Sequence, residues 1–145
     1  MCQDAVLALL RGDQRLKDLG GAGFVVEPEF SFEQRPNGSG AFIVICWRTT
    51  DFEPDIQANA AQHFDLYVHM PVKVSTRFAP INQIIDRCDE LFRGVEDSDP
   101  VVGDDGWQLE YVGFQGRGFQ MKDETYETIC RPASYFALGS RITTP

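Results

Sequence analysis

Lysine is scarce in this chain. Of the 13 basic residues among 145, only Lys17, Lys73 and Lys122 are lysines, and 22 acidic residues leave a formal charge of -9. No basic cluster occurs anywhere. A protein that grips nucleic acid neutralises phosphates with Lys and Arg; this one repels a polyanion over most of its surface. Long hydrophobic runs are also missing. No segment approaches the ~20 apolar residues of a membrane span, so no membrane partner is expected. The opening MCQDAVLALLRGDQ is too short in its apolar stretch and too acidic, with Asp4 ahead of it, for a secretory signal. The expectation is a soluble protein made in the cytoplasm. Paired cysteines are absent too. Cys2, Cys46, Cys88 and Cys130 stand far apart with no CxxC motif. Zinc and redox motifs bring two ligands close in sequence. Buried or half-buried free thiols are the simpler reading, since free Cys behaves as a small hydrophobe. No metal and no cofactor is expected.

What is present describes an ordinary globular chain. Hydrophobic residues are 43% and charged residues 24%, which argues against wholesale disorder. The length suits one domain over 1–145, with a frayed tail at about 139–145. The first segment is helical: Val6, Leu9 and Leu10 are continued by Leu16 and Leu19 after a break at Gly12-Asp13. Asp13 is placed to cap the second turn, and Gly20, Gly21 and Gly23 end it. This glycine run follows a helix and lacks GK[ST], so it is no phosphate loop. FVVEPEFSFEQ alternates as a strand, with Phe24, Val26, Phe30 and Phe32 on one face. RPNGSG at 35–40 then reads as a hairpin turn, and AFIVICWRTT at 41–50 as a central strand apolar on both faces. Phe24, Phe30, Phe32 and Phe42 are expected in the core.

DFEPDIQANAAQ at 51–62 has no periodicity and reads as a long loop of the functional or interfacial kind. HFDLYVHMPV at 63–72 is a third strand. APINQIIDRCDELFRG at 79–94 is the clearest helix, with Ile81, Ile84, Ile85, Cys88, Leu91 and Phe92 on one stripe, Pro80 near the start and Gly94 at the end. VEDSDPVVGDDG at 95–106 is an acidic loop, followed by strands at 107–120 and towards 138. The expected fold is α+β: a mostly antiparallel sheet with two helices packed on one face, in the order α-β-β-β-α-β-β.

Three constellations tempt a chemical reading. His63, Asp65, Tyr67 and His69 share one strand face, but His63 and His69 lie ~20 Å apart at strand rise, too far for one metal ion. Cys46 or Cys88 paired with a distant His would make a nucleophile, yet no local feature activates either thiol. The acids of 95–106 do not follow the EF-hand spacing, and Pro100-Val101-Val102 interrupts them. The aromatic content is generous instead: eleven Phe, four Tyr and two Trp. One sheet with two helices cannot easily cover them all. Aromatics and Arg are enriched at subunit contacts and Lys depleted, so self-association is expected. The candidate subunit or tail interface is Phe52, Asp55, Ile56, Arg77, Phe78, Phe114, Arg117 and Phe119.

Taken in order, AVLALLRGDQRLKDLGG, FVVEPEFSFEQRPNGSGAFIVICW and HFDLYVHMPVKVSTRFAPINQIIDRCDELF, followed by two closing strands, resemble the tail terminator (minor tail, or tail-completion) proteins of long-tailed bacteriophages. The resemblance spans residues 3–138 and rests on element order, length and the strand-then-helix segment. It implies a non-enzymatic α+β virion protein at the head-proximal end of the tail. Such a protein forms a hexameric ring that caps the tail tube, ends its polymerisation and joins tail to head. Its partners would be further copies of itself, the major tail tube protein and a head-completion or stopper protein, with DNA passing through unbound. Asp97, Asp99, Asp104 and Asp105 are then candidate lumen-facing acids, since like charge lets DNA slide. The competing readings are another head–tail connector or stopper component, and a small ligand-binding or enzymatic α+β domain.

Overall fold

The computed structural model describes residues 2–28, 40–53 and 56–142. Three α-helices lead and interrupt a seven-stranded sheet: α1 Gln3–Arg11, α2 Gln14–Gly20, β1 Val25–Glu27, β2 Phe42–Glu53, β3 Ile56–Pro71, α3 Ala79–Arg93, β4 Val101–Val102, β5 Trp107–Arg117, β6 Met121–Asp123 and β7 Thr128–Arg141, with a short 3₁₀ turn at Val95–Asp97. The sheet runs β1-β2-β3-β7-β5-β4, and β6 also pairs with β7. The expected order α-β-β-β-α-β-β is therefore corrected: β6, paired with β7, is an added strand, and three further differences follow. The first helix is two helices, because the Asp13 side chain caps a new start by accepting from the Leu16 N–H at 2.9 Å. The segment at 95–106 is not all loop, since Val101 and Val102 pair with Leu109 and Gln108. Above all, β1 runs parallel to β2, with Val25 opposite Phe42 and Glu27 opposite Val44. A hairpin would make that pair antiparallel. The alternation of 24–32 carried no information on strand direction, and Phe30, Phe32 and the turn at 35–39 lie outside the described residues.

The expected loop at 51–62 is the far end of a long hairpin. β2 continues through Glu53 and β3 begins at Ile56, with Phe52 opposite Ala60 and Glu53 opposite Ile56. Ala, Gln and Asn are weak strand formers, which hid this stretch from a periodicity reading. Pairing decides it: Asn59 through Gln62 lie in register against Ser140 through Ala137 of β7, and Ala60 through Gln62 also pair with Phe52 through Thr50 of β2.

The core lies between one sheet face and the helices. Phe64, Leu66, Val68 and Met70 point inward from β3, beside Ile43 and Ile45 from β2 and Ala133, Tyr135 and Ala137 from β7. Val6 and Leu10 of α1, Leu16 of α2 and the stripe Ile81, Ile84, Ile85, Cys88 and Phe92 of α3 cover them. Burying each large apolar side chain contributes about 1.5–3 kcal/mol before the entropy cost. Arg87 locks the helical layer: its Nε donates to Asp13 Oδ2 at 3.0 Å and its Nη2 to Asp13 Oδ1 at 2.7 Å, a two-pronged pair joining α3 to the cap of α2. Arg11 donates twice to the Val26 carbonyl at 3.0 and 2.8 Å, occupying an acceptor on edge strand β1. Phe42 is buried as expected, at 2% exposed, but on the other face of the sheet. It faces away from the helices, stacked on the His69 ring at 4.6 Å between centroids.

Candidate assembly surface

The exit of β5 gathers three of the expected interface residues. Phe114 is 45% exposed, with its ring edge on Tyr135 and Arg93 at 5.5 Å over its face. Arg117 donates to Asp86 and Asp89 of α3, and Asp89 also accepts from the buried Tyr135 hydroxyl. Phe119, in the connection to β6, is 86% exposed. Leaving a benzyl group that open forgoes its burial, and a neighbouring molecule can supply it. A backbone irregularity makes this exit. The β5–β7 register shifts between Phe114 and Gly116, and Gly116 has φ 129°, a conformation L side chains rarely adopt. Arg131 ties the exit to α3, donating from Nε to the Gly118 carbonyl at 3.0 Å and from Nη1 to Asn82 Oδ1 at 2.9 Å. That is one helical turn from Phe78, whose carbonyl accepts from the Asn82 N–H.

The remaining expected residues are placed differently. Phe78 is half-buried and packs against the core cluster, which reduces what it can offer a partner, while Arg77 beside it is exposed. Phe52 and Ile56 stand at the β2–β3 hairpin end, and Asp55 lies outside the described residues. Tyr135 is core: it is 2% exposed, between Phe64, Phe92 and Phe114. Asp97, Asp99, Asp104 and Asp105 are all exposed and flank the two-residue edge strand β4. Asp105 also accepts from the Trp107 N–H at 3.1 Å, so it shapes the turn into β5.

The sheet face opposite the helices carries a polar network. Arg48 pairs with Asp65 at 3.1 Å and donates to Gln115; Asp65 accepts from Ser134 at 2.6 Å, and Gln115 lies 3.1 Å from His63 Nδ1. His63 and Asp65, the nearest thing to a metal pair in the sequence, are joined into this network. Beside them His63, Phe136 and Tyr111 pack as rings, and Gly113 makes room, since a Cβ there would sit 2.1 Å from the Phe136 ring. The thiols do not look activated. Burial pushes Cys2 and Cys130 up to about 11 and raises Cys88 further. Burial also lowers His69 to about 4, keeping its ring neutral. A groove of about 570 Å³ between α1 and β2 is lined by Asp4, Leu7, Cys46 and Trp47, among others.

No known protein family and no curated protein matches this chain in sequence. A solved structure does match in fold. It is a chain in the virion of a native gene transfer agent particle, with a TM-score of 0.70 at 16% identity, covering 95% of this chain and 93% of that one. At such identity the likeness is one of fold, and it runs nearly end to end in both chains. Two features escaped the sequence reading: the Arg131 tie to Asn82, and the approach of a ligand atom from each of His69, Asp123 and Cys130 to within 4.8 Å of the others. Both join residues far apart along the chain, and no local spacing signals either. Among the described residues, no helix is long and apolar enough to cross a membrane.

Proposed function

We propose that this chain is a structural protein of a phage-like virion, and specifically a tail terminator that assembles as a hexameric ring. The observation that carries the reading is the end-to-end fold likeness to a virion chain, TM-score 0.70 over 95% of the residues. In this reading the ring caps the head-proximal end of the tail tube, stops its growth and meets a head-completion or stopper protein on its other side. Phe114, Arg117 and Phe119 at the β5 exit, and the β2–β3 hairpin end with Phe52 and Ile56, supply the contacts between copies or with the tube. Asp97, Asp99, Asp104 and Asp105 face the lumen. Six copies of -9 make a ring of -54, which repels DNA from the wall and lets it pass.

The experiment is tube assembly with and without this chain. A terminator added to polymerising tail tube protein limits tube length and is found at one tube end by electron microscopy. Tubes of unchanged length with the chain at neither end would overturn the terminator reading. Unchanged tubes together with binding to a portal or stopper protein would move the chain to another head–tail joining position. A second test addresses the acids. Reversing the charge of Asp97, Asp99, Asp104 and Asp105 is expected to leave ring formation intact and slow DNA passage; unchanged passage would remove them from the lumen.

A further inference from the structure

We propose that His69, Asp123 and Cys130 form a binding site for one divalent metal ion of the zinc class. The sheet brings the three together on the face opposite the helices. His69 of β3 lies directly across from Cys130 of β7, and Asp123 of β6 lies across from Thr128 on the other side of β7. One ligand atom from each, an imidazole nitrogen, a carboxylate oxygen and the thiol sulfur, lie within 4.8 Å of one another.

An independent feature points to a ligand. His69 is fully buried, and its Nε2 has no hydrogen-bond partner among the described residues. Buried polar atoms are nearly always paired, so an orphaned imidazole nitrogen needs an explanation. Its other nitrogen, Nδ1, lies 2.8 Å from Thr128 Oγ1. A proton on Nδ1 shared with Thr128 leaves a lone pair on Nε2, the form in which imidazole binds a metal. Phe42 stacks on the ring within 5° of parallel and Tyr126 meets it edge-on, so its orientation is set before any ion arrives. Asp123 is oriented as well: its Oδ1 accepts from the Thr125 and Tyr126 N–H groups at 2.9 and 3.3 Å.

The donor set selects the metal. Nitrogen, thiolate and one carboxylate suit zinc, whereas calcium and magnesium take oxygen ligands. Zinc bonds of about 2.0–2.3 Å put neighbouring ligand atoms about 3.5 Å apart, so the cluster need close by only about 1 Å. Three protein ligands leave a fourth position for water. On binding, the Cys130 S–H bond breaks, a sulfur–metal bond forms and the proton leaves to solvent. The ion would clamp β6 and its turn to β3 across β7.

The test is titration of the full chain, reduced and stripped with a chelator, with cobalt(II) as a spectroscopic stand-in for zinc. The expected result is saturation at one equivalent, with a thiolate-to-cobalt absorption band that zinc displaces. Cys130→Ala should abolish the band, while Cys46→Ala should keep it. Asp123→Asn retains the oxygen that the Thr125 and Tyr126 N–H groups use, so it should fold and bind at least tenfold more weakly. Zinc should raise the melting temperature of the native chain and leave that of Asp123→Asn little changed. Absence of saturable binding, a band that follows Cys46, or Asp123→Asn binding as tightly as the native chain would each overturn the proposal. Should Cys130→Ala fail to fold, Asp123→Asn decides.

Discussion

The two faces of the sheet are built from the same strands and have opposite characters. On the helix side, Phe64, Leu66 and Val68 are almost fully buried among aliphatic side chains and rings. On the other side, the alternate residues His63, Asp65, Tyr67 and His69 carry hydrogen-bonding groups and titratable rings. The helix side therefore carries the main core. The other, with the β5 exit, carries groups whose burial or pairing the fold alone does not require. In strands of period two, a single stretch such as HFDLYVHM writes both faces at once.

The comparison can be broken most sharply by truncating one ring on each face. Phe64 touches Trp47, Phe92 and Tyr135 in the covered core. Phe64→Ala should cost about 3–5 kcal/mol in denaturant unfolding. Phe136, half-buried on the open face, should cost markedly less as Phe136→Ala. Equal losses would mean that both faces are core.

Next in size is the tie inside the helical layer. Asp13→Ala removes a helix cap and the partner of Arg87, an expected loss of about 1–2 kcal/mol. The Arg87 guanidinium, chiefly, and the Leu16 N–H hold the Asp13 carboxyl below its ordinary value. A carboxyl lowered by folding adds stability that is present above the unfolded value of about 3.9 and is lost as pH falls through the folded value. Asp13→Ala should therefore flatten the acid limb of the stability profile while lowering the neutral plateau. An acid limb identical to that of the native chain would remove Asp13 from acid unfolding.

Thiol labelling tests the burial pattern without a mutation. Cys2, Cys88 and Cys130 are buried, while Cys46 is half-buried. In the native state Cys46 should react first with a thiol reagent, and the other three only on unfolding. Early labelling of Cys88 would contradict the packing of α3. The smallest effect on stability belongs to Phe119→Ser, expected within about 0.5 kcal/mol of the native chain because the ring is exposed. Its effect should fall on assembly instead.

How much was legible follows from what each feature depends on. The stripe of α3 and the Asp13 cap lie within a few residues of sequence, and both are where the pattern puts them. The face sharing of His63 through His69 follows from period two alone. Strand direction and partner do not. The parallel pairing of β1 and the ladder from Asn59 to Gln62 depend on what lies alongside, and β7 is some 80 residues away in sequence from those partners. The same limit hid the meeting of His69, Asp123 and Cys130. His69 reads as an ordinary strand histidine until Cys130 is seen across from it. Tyr135 is likewise made core by Phe64, Phe92 and Asp89, all distant in sequence.

The central claim, assembly as a virion ring, is tested most directly by the mass of the particle the chain forms. Light scattering should be measured on the full chain alone and after mixing with tail tube protein, for the native sequence and for Phe119→Ser. The account predicts a species near six times the 16.3 kDa of one chain, alone or on the tube, that the Phe119 substitution weakens. A 16.3 kDa monomer under both conditions, with no association with the tube, would contradict it.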